Sequence, residues 1–192
     1  MRKAEIDRKT NETDIKLALN LDGGGAFAGS SQNGFFDHML EQLCKHGKMD
    51  ISLEMTGDTN VDFHHSAEDI GIVLGTAFGE AMGEKRGVVR FADCHVPMDE
   101  SLARAAVDLS GRGYFVWSAP EMTPTIGGLD TEVVWEFFKA FAANSKMALH
   151  ISVLYGENTH HMVEGAFKAA AMAIKAAKKV EGTELPTTKG VL

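Results

Sequence analysis

Apolar and polar residues alternate from Asp14 to Leu21, with Ile15, Leu17, Leu19 and Leu21 on one side, and this period of two predicts a half-buried strand. Gly23, Gly24 and Gly25 break it. The period then lengthens: Phe36, Met39, Leu40 and Leu43 have helical spacing, which predicts a helix over 35–45 that stops at Gly47. Ile51, Leu53 and Met55 alternate as a second strand, and a long helical stretch follows from about His64 to Met82. The order then returns. Strands are predicted over 102–109 and 114–117, a helix over 129–143, a strand over 147–155 and an alanine-rich helix over 160–179.

The halves also match residue by residue. Leu19-Asn20-Leu21-Asp22-Gly23 resembles Val107-Asp108-Leu109-Ser110-Gly111, and Lys48-Met49 before one strand resembles Lys146-Met147 before another. The expected fold is therefore α+β, an internal duplication of a strand–helix–strand–helix unit over roughly 1–90 and 91–192. Each unit has sheet on one side and helices on the other, so two units bury their apolar faces by packing helix against helix. No stretch rich in Pro, Ser or charge separates them, which predicts a single domain over 1–192.

Composition narrows the partners. Acids outnumber bases, 27 against 19, and no basic run occurs, which argues against nucleic acid. No apolar run is long enough to span a membrane, and Met1-Arg2-Lys3-Ala4-Glu5 lacks a signal-peptide core, so a cytoplasmic protein is expected. Cys44 and Cys94 are too few for a disulfide framework and are read as buried or partly buried thiols.

The chemistry lies in a repeated pattern. His64-His65-Ser66-Ala67-Glu68 is echoed by His160-His161-Met162-Val163-Glu164. On a helix, offsets of three and four put Glu68 beside His65 and His64, and Glu164 beside His161 and His160. Adjacent imidazoles point about 100° apart, so each pair is suited to reach two ions rather than one. Imidazole with carboxylate, and no thiolate, suits manganese, iron or zinc. His38 on the preceding helix of the first half matches Glu136 in the second, and both join the candidate ligands. His46, His95 and His150 have no such partner and are read as structural or surface residues.

Phe35-Phe36-Asp37-His38-Met39-Leu40, Asp62-Phe63-His64-His65-Ser66-Ala67-Glu68-Asp69 and Asn158-Thr159-His160-His161-Met162-Val163-Glu164 resemble motifs of the imidazoleglycerol-phosphate dehydratases of histidine biosynthesis. So do Arg8-Lys9-Thr10-Asn11-Glu12-Thr13, Arg90-Phe91, Asp108-Leu109-Ser110-Gly111-Arg112 and Thr188-Lys189-Gly190-Val191-Leu192, and the resemblance runs nearly end to end. It implies a hydro-lyase acting on D-erythro-imidazoleglycerol phosphate, with a fold like the second domain of a ribosomal small-subunit protein. It implies two divalent metals per site, manganese foremost, on His38, His64, His65, Glu68, Glu136, His160, His161 and Glu164. Some members carry histidine where this chain has Glu136. The resemblance makes Glu12 the proton-transfer residue and Arg90, Arg112 and Lys189 the phosphate binders. Lys168, Thr187 and Thr188, with Glu12, His38, His64, Glu68 and His160, complete the substrate contacts it implies. It also implies a homo-oligomer of twenty-four subunits with active sites shared between neighbours. Two rival readings have weaker motifs. A zinc-protease His-Glu-x-x-His is absent, and the ferritin-like Glu-x-x-His occurs here only in reverse order.

Overall fold

The computed structural model describes residues 1–192 and builds both halves from one succession of elements. The first half runs through strands β1 (Lys3–Lys9), β2 (Thr13–Asn20) and β3 (Phe27–Gly29), helix α1 (Gly34–Gly47), strand β4 (Asp50–Gly57) and helix α2 (His64–Met82). The second runs through β5 (Phe91–Met98), β6 (Ser101–Asp108) and β7 (Tyr114–Ser118), then a short hairpin of β8 (Thr125–Ile126) and β9 (Leu129–Asp130). Helix α3 (Glu132–Ser145), strand β10 (Ala148–Tyr155) and helix α4 (Thr159–Ala177) complete it. The sheets have matching orders, β1-β2-β4-β3 and β5-β6-β10-β7, antiparallel except for the last pair of each.

Each unit is thus richer than the strand–helix–strand–helix expected. The outer strands β1 and β5 were not legible, because β1 turns only half-buried residues inward and β5 carries Phe91 and Pro97 on its outer side, which blurs the alternation. The helix expected from Leu129 starts at Glu132, since Gly127 and Gly128 turn the β8–β9 hairpin and Leu129 and Asp130 pair within it. α1 and α3 end alike. Lys48 and Lys146 both adopt the left-handed conformation, and each backbone N–H closes onto the last helical turn.

The helices lie between the two sheets. α2 covers β1 and β2, α4 covers β5 and β6, and the halves meet where α1 packs on α4 and α2 on α3. Phe36, Phe137, Phe138 and Phe167 tie α1, α3 and α4 together, with ring centroids 5.2 Å apart for Phe36–Phe137 and 4.5 Å for Phe138–Phe167. α2 approaches α3 through glycines one turn apart: a Cβ at Gly71 would lie 2.6 Å from the Phe137 carbonyl oxygen, and one at Gly75 2.7 Å from that of Phe141. No helix is long and apolar enough to cross a membrane. Burial pushes the Cys44 thiol up to about 12, which removes it from chemistry at neutral pH.

Candidate metal and substrate site

Packing of α1 on α4 assembles the densest cluster of ligand-type groups. Asn158 caps α4, its side chain accepting from the His160 backbone N–H at 2.9 Å, and so fixes where the His160-His161 pair emerges. One turn on, Glu164 Oε2 lies 2.9 Å from His160 Nε2 and 3.5 Å from His38 Nε2, while Oε1 takes the Lys168 ammonium at 2.7 Å. His38, His160 and Glu164 are the one trio whose ligand atoms all fall within 4.8 Å of one another. Burial pushes the Glu164 carboxyl up, but Lys168 and His160 outweigh it and hold the group below its ordinary range. The His160 and His161 rings are 6.1 Å apart and tilted by 76°, so they face different directions.

The N-terminus of α2 carries the other pair. Asp62 accepts the His64 backbone N–H at 2.8 Å, and the His64 and His65 rings are 6.2 Å apart at 86°. His65 Nδ1 is 3.0 Å from Asp58 Oδ2, and its Nε2 faces Glu12 at 3.8 Å. Glu12 is there because the β1–β2 hairpin is pinned to α2. Buried Asp69 receives both the Thr13 hydroxyl and the Arg8 guanidinium, the latter at 2.7 Å. Glu68 makes no side-chain hydrogen bond or ion pair, and Glu136, on α3, pairs with Lys139 at 3.2 Å. Helix packing thus gathers His38, His160, Glu164 and Lys168 at one place and Glu12 with His65 at another, and it closes no comparable trio around His64, Glu68 and Glu136.

The expected phosphate residues lie elsewhere. Arg90 stacks over Phe91 and donates to Asp108 Oδ1 at 2.8 Å and to the Pro186 carbonyl at 2.7 Å, which ties the C-terminal tail to the start of β5. The tail continues past Thr187, Thr188 and Lys189 until Leu192 reaches Gly111, next to exposed Arg112. Arg90 and Arg112 therefore mark one end of the β5–β6 ladder, and His161 lies at the other, beside the β5–β6 turn. Eight-residue strands at about 3.3 Å per residue separate the two ends by about 23 Å.

Several contacts at the paired histidines escaped sequence reasoning. Glu100 Oε2 lies 2.7 Å from His161 Nδ1, and Asp99 Oδ2 faces Nε2 at 3.5 Å. The repeat could have revealed Glu100. Carrying the match of Leu19 with Val107 back along the strands aligns Glu12 with Glu100, and the registers Lys9↔Asp14 and Pro97↔Leu102 agree. Asp58, Arg8 and Asp69 had no comparable signal, because they act through contacts between elements. His95 and His150 are exposed on outer strand faces, and His46 is half-buried, its protonation disfavoured by burial.

The model of one protein family, imidazoleglycerol-phosphate dehydratase, matches residues 31–174. Imidazoleglycerol-phosphate dehydratases of Azorhizobium caulinodans and Chloroherpeton thalassium are 49% and 50% identical to the chain, over all of it and over 99% and 98% of their own lengths. Crystal structures of the dehydratases from Staphylococcus aureus and Pyrococcus furiosus superpose with TM-scores of 0.85 and 0.84, at 34% and 33% identity. They cover 93% and 97% of the chain, which in turn covers 99% and 100% of theirs.

Proposed function

The chain belongs to the imidazoleglycerol-phosphate dehydratase family, a family of hydro-lyases in histidine biosynthesis, and on that premise we propose that it converts D-erythro-imidazoleglycerol phosphate to imidazoleacetol phosphate with two divalent metal ions, manganese foremost. The observation that carries the metal reading is the trio His38, His160 and Glu164, a nearly buried carboxylate aimed at two imidazoles. Asp58 Oδ1, buried without a hydrogen-bond partner, is a second sign of a polar site with capacity to spare. This donor set fits manganese. The ligands on this reading are His38, His64, His65, Glu68, Glu136, His160, His161 and Glu164.

The reaction removes the hydroxyl beside the ring and a proton from the neighbouring carbon. Together these leave as water, and the resulting enol tautomerises to the ketone. No carbonyl acidifies that carbon, so a base alone faces a high barrier. When bound at these residues, the metals would supply Lewis acidity that acidifies the ring and eases loss of the hydroxyl. Glu12 takes the proton in this scheme. Its side chain is half exposed and held near His65 without a hydrogen bond, so its carboxylate stays free to accept. Lys168 keeps Glu164 ionised and offers a further donor to substrate.

Arg90, Arg112, Thr187, Thr188 and Lys189 bind the phosphate on this reading. From ring to phosphorus the substrate spans at most about 7.5 Å, five bonds at about 1.5 Å each, far short of the 23 Å or so that separate the ends of the β5–β6 ladder. The residues that bind the phosphate therefore come from a neighbouring copy, and a homo-oligomer, of twenty-four subunits by resemblance, completes each site. We further read residues 1–192 as one domain of two repeats and the protein as cytoplasmic.

Incubation of the purified protein with imidazoleglycerol phosphate, followed by ultraviolet absorption of the ketone product, tests the reading. Exhaustive chelation should abolish the signal, and manganese should restore it best among added metals. Full turnover by protein shown metal-free by elemental analysis overturns it.

A further inference from the structure

The repeat places one glutamate at the same point of each N-terminal hairpin and gives the two different surroundings. Glu12 follows β1, and Glu100 follows β5, each directly before the residue that opens the next strand. Glu12 stands clear of its histidine, 3.8 Å from His65 Nε2. Glu100 is locked. Its Oε1 accepts from the backbone N–H groups of Glu157 and Asn158 at 3.1 and 2.8 Å and from the Ser101 hydroxyl at 2.9 Å, and its Oε2 meets His161 Nδ1 at 2.7 Å. In the first half that last contact is made by Asp58, from the end of β4, at 3.0 Å from His65 Nδ1. Different elements therefore supply a carboxylate to the same nitrogen of the second histidine in both pairs.

We propose that Glu100 and Asp58 are positioning residues that hold His161 and His65 by Nδ1–H and so leave Nε2 as the atom offered to a metal. The proposal rests on the metal reading above. A ligating imidazole must be neutral with one nitrogen unprotonated, and a carboxylate on the other nitrogen selects that tautomer, fixes the ring and raises its basicity. Only the exposed hairpin acids Asp99 and Glu12 face the two Nε2 atoms, at 3.5 and 3.8 Å, so neither nitrogen is closed off by the core. The lock on Glu100 has a local origin. Three donors on one oxygen leave the other oxygen a single orientation, and the same bonds tie the β5–β6 turn to the chain entering α4. The free glutamate of one hairpin is thereby suited to proton transfer, and its twin to holding a ligand.

The test is manganese binding by the metal-stripped full-length chain, followed by electron paramagnetic resonance and by competition with a chelator. Wild type is compared with Glu100→Gln and Asp58→Asn, with thermal unfolding of every metal-free sample recorded alongside. Glu100→Gln retains a carbonyl oxygen for the backbone donors while removing the carboxylate from His161. The expected result is binding weakened by about 10–100-fold in each variant, with the metal-free melting temperature little changed. Binding at wild-type strength in both variants overturns the positioning role, even where melting falls, because that pattern belongs to a loop brace. Should Glu100→Gln fail to fold, Asp58→Asn, whose carboxylate has no backbone partner, decides alone. Absence of binding by wild type overturns the metal reading together with this one, which separates the two failures.

Discussion

On the proposed reading, Glu12 reaches the chemistry and Asp69 only delivers it there. Glu12→Gln preserves side-chain size and removes the proton acceptor, so metal content and assembly should stay near wild type while kcat falls by about 10²–10⁴. A larger isotope effect from deuterium on the carbon losing its proton would accompany that fall, and a kcat within a few-fold of wild type assigns the base elsewhere. Asp69→Asn acts one step back. It weakens the pairing with Arg8 and Thr13, costs about 1.5–3 kcal/mol in urea unfolding, and should lower kcat as the Glu12 hairpin loosens. At this scale the sequence was legible where chemistry repeats: both His-His pairs and the match of His38 with Glu136 stand out unaided. Asp69 was not, although it follows Glu68 directly, because the next position on a helix turns about 100° and carries it into the core. Arg112, Thr188 and Lys189 enter the proposed site only through resemblance, since exposed basic and hydroxyl residues carry no pattern of their own.

Elements owe their places to side chains that are absent as much as to those present. Gly71→Ala or Gly75→Ala would gain up to about 1 kcal/mol in helix propensity. The new Cβ would press on the backbone of α3, however, and such overpacking costs about 1–3 kcal/mol. Calorimetry should therefore show a lower melting temperature for each variant, and a rise would mean that α2 and α3 separate easily. Lysines tie the halves from the opposite end. Lys178, after α4, reaches the carbonyls of Leu21 and Lys48, and Lys85, after α2, reaches that of Leu109, the repeat equivalent of Leu21. Burial, with Arg2 nearby, lowers Lys178 from 10.5 to about 8. Between those values the unfolded chain holds a proton that the folded one has shed, so stability from this group rises with pH from about 8 to about 10.5. Urea midpoints across that window should climb in wild type and climb less in Lys178→Met. Central strands were readable because each buries one face completely, as the Ile15, Leu17 and Leu19 face of β2 does. Neither the helix-to-helix glycines nor the lysine ties leave a periodic trace.

On the proposed reading, the site spans a distance that no single chain closes. If one copy provides imidazoles and another the phosphate grip, two defective chains can repair one another. Co-expression of His161→Ala with an Arg112→Ala/Lys189→Ala double variant should yield assemblies active at low substrate, where either alone is nearly inactive. Failure of rescue, with mixed assembly verified by mass spectrometry, would place every site within one chain. Duplication was legible from matched segments, and so was helix packing on helix. The separation was not, because it depends on which end of a ladder each loop occupies. The covalent join between the halves has a further consequence. A half-length chain that paired with its own copy would present every residue twice, and a change made for one position would be imposed on the other. In a continuous chain the equivalent positions are independently heritable. His38 in one half can correspond to Glu136 in the other, and an exposed Glu12 can coexist with an anchored Glu100, because substitution in one half leaves the other untouched.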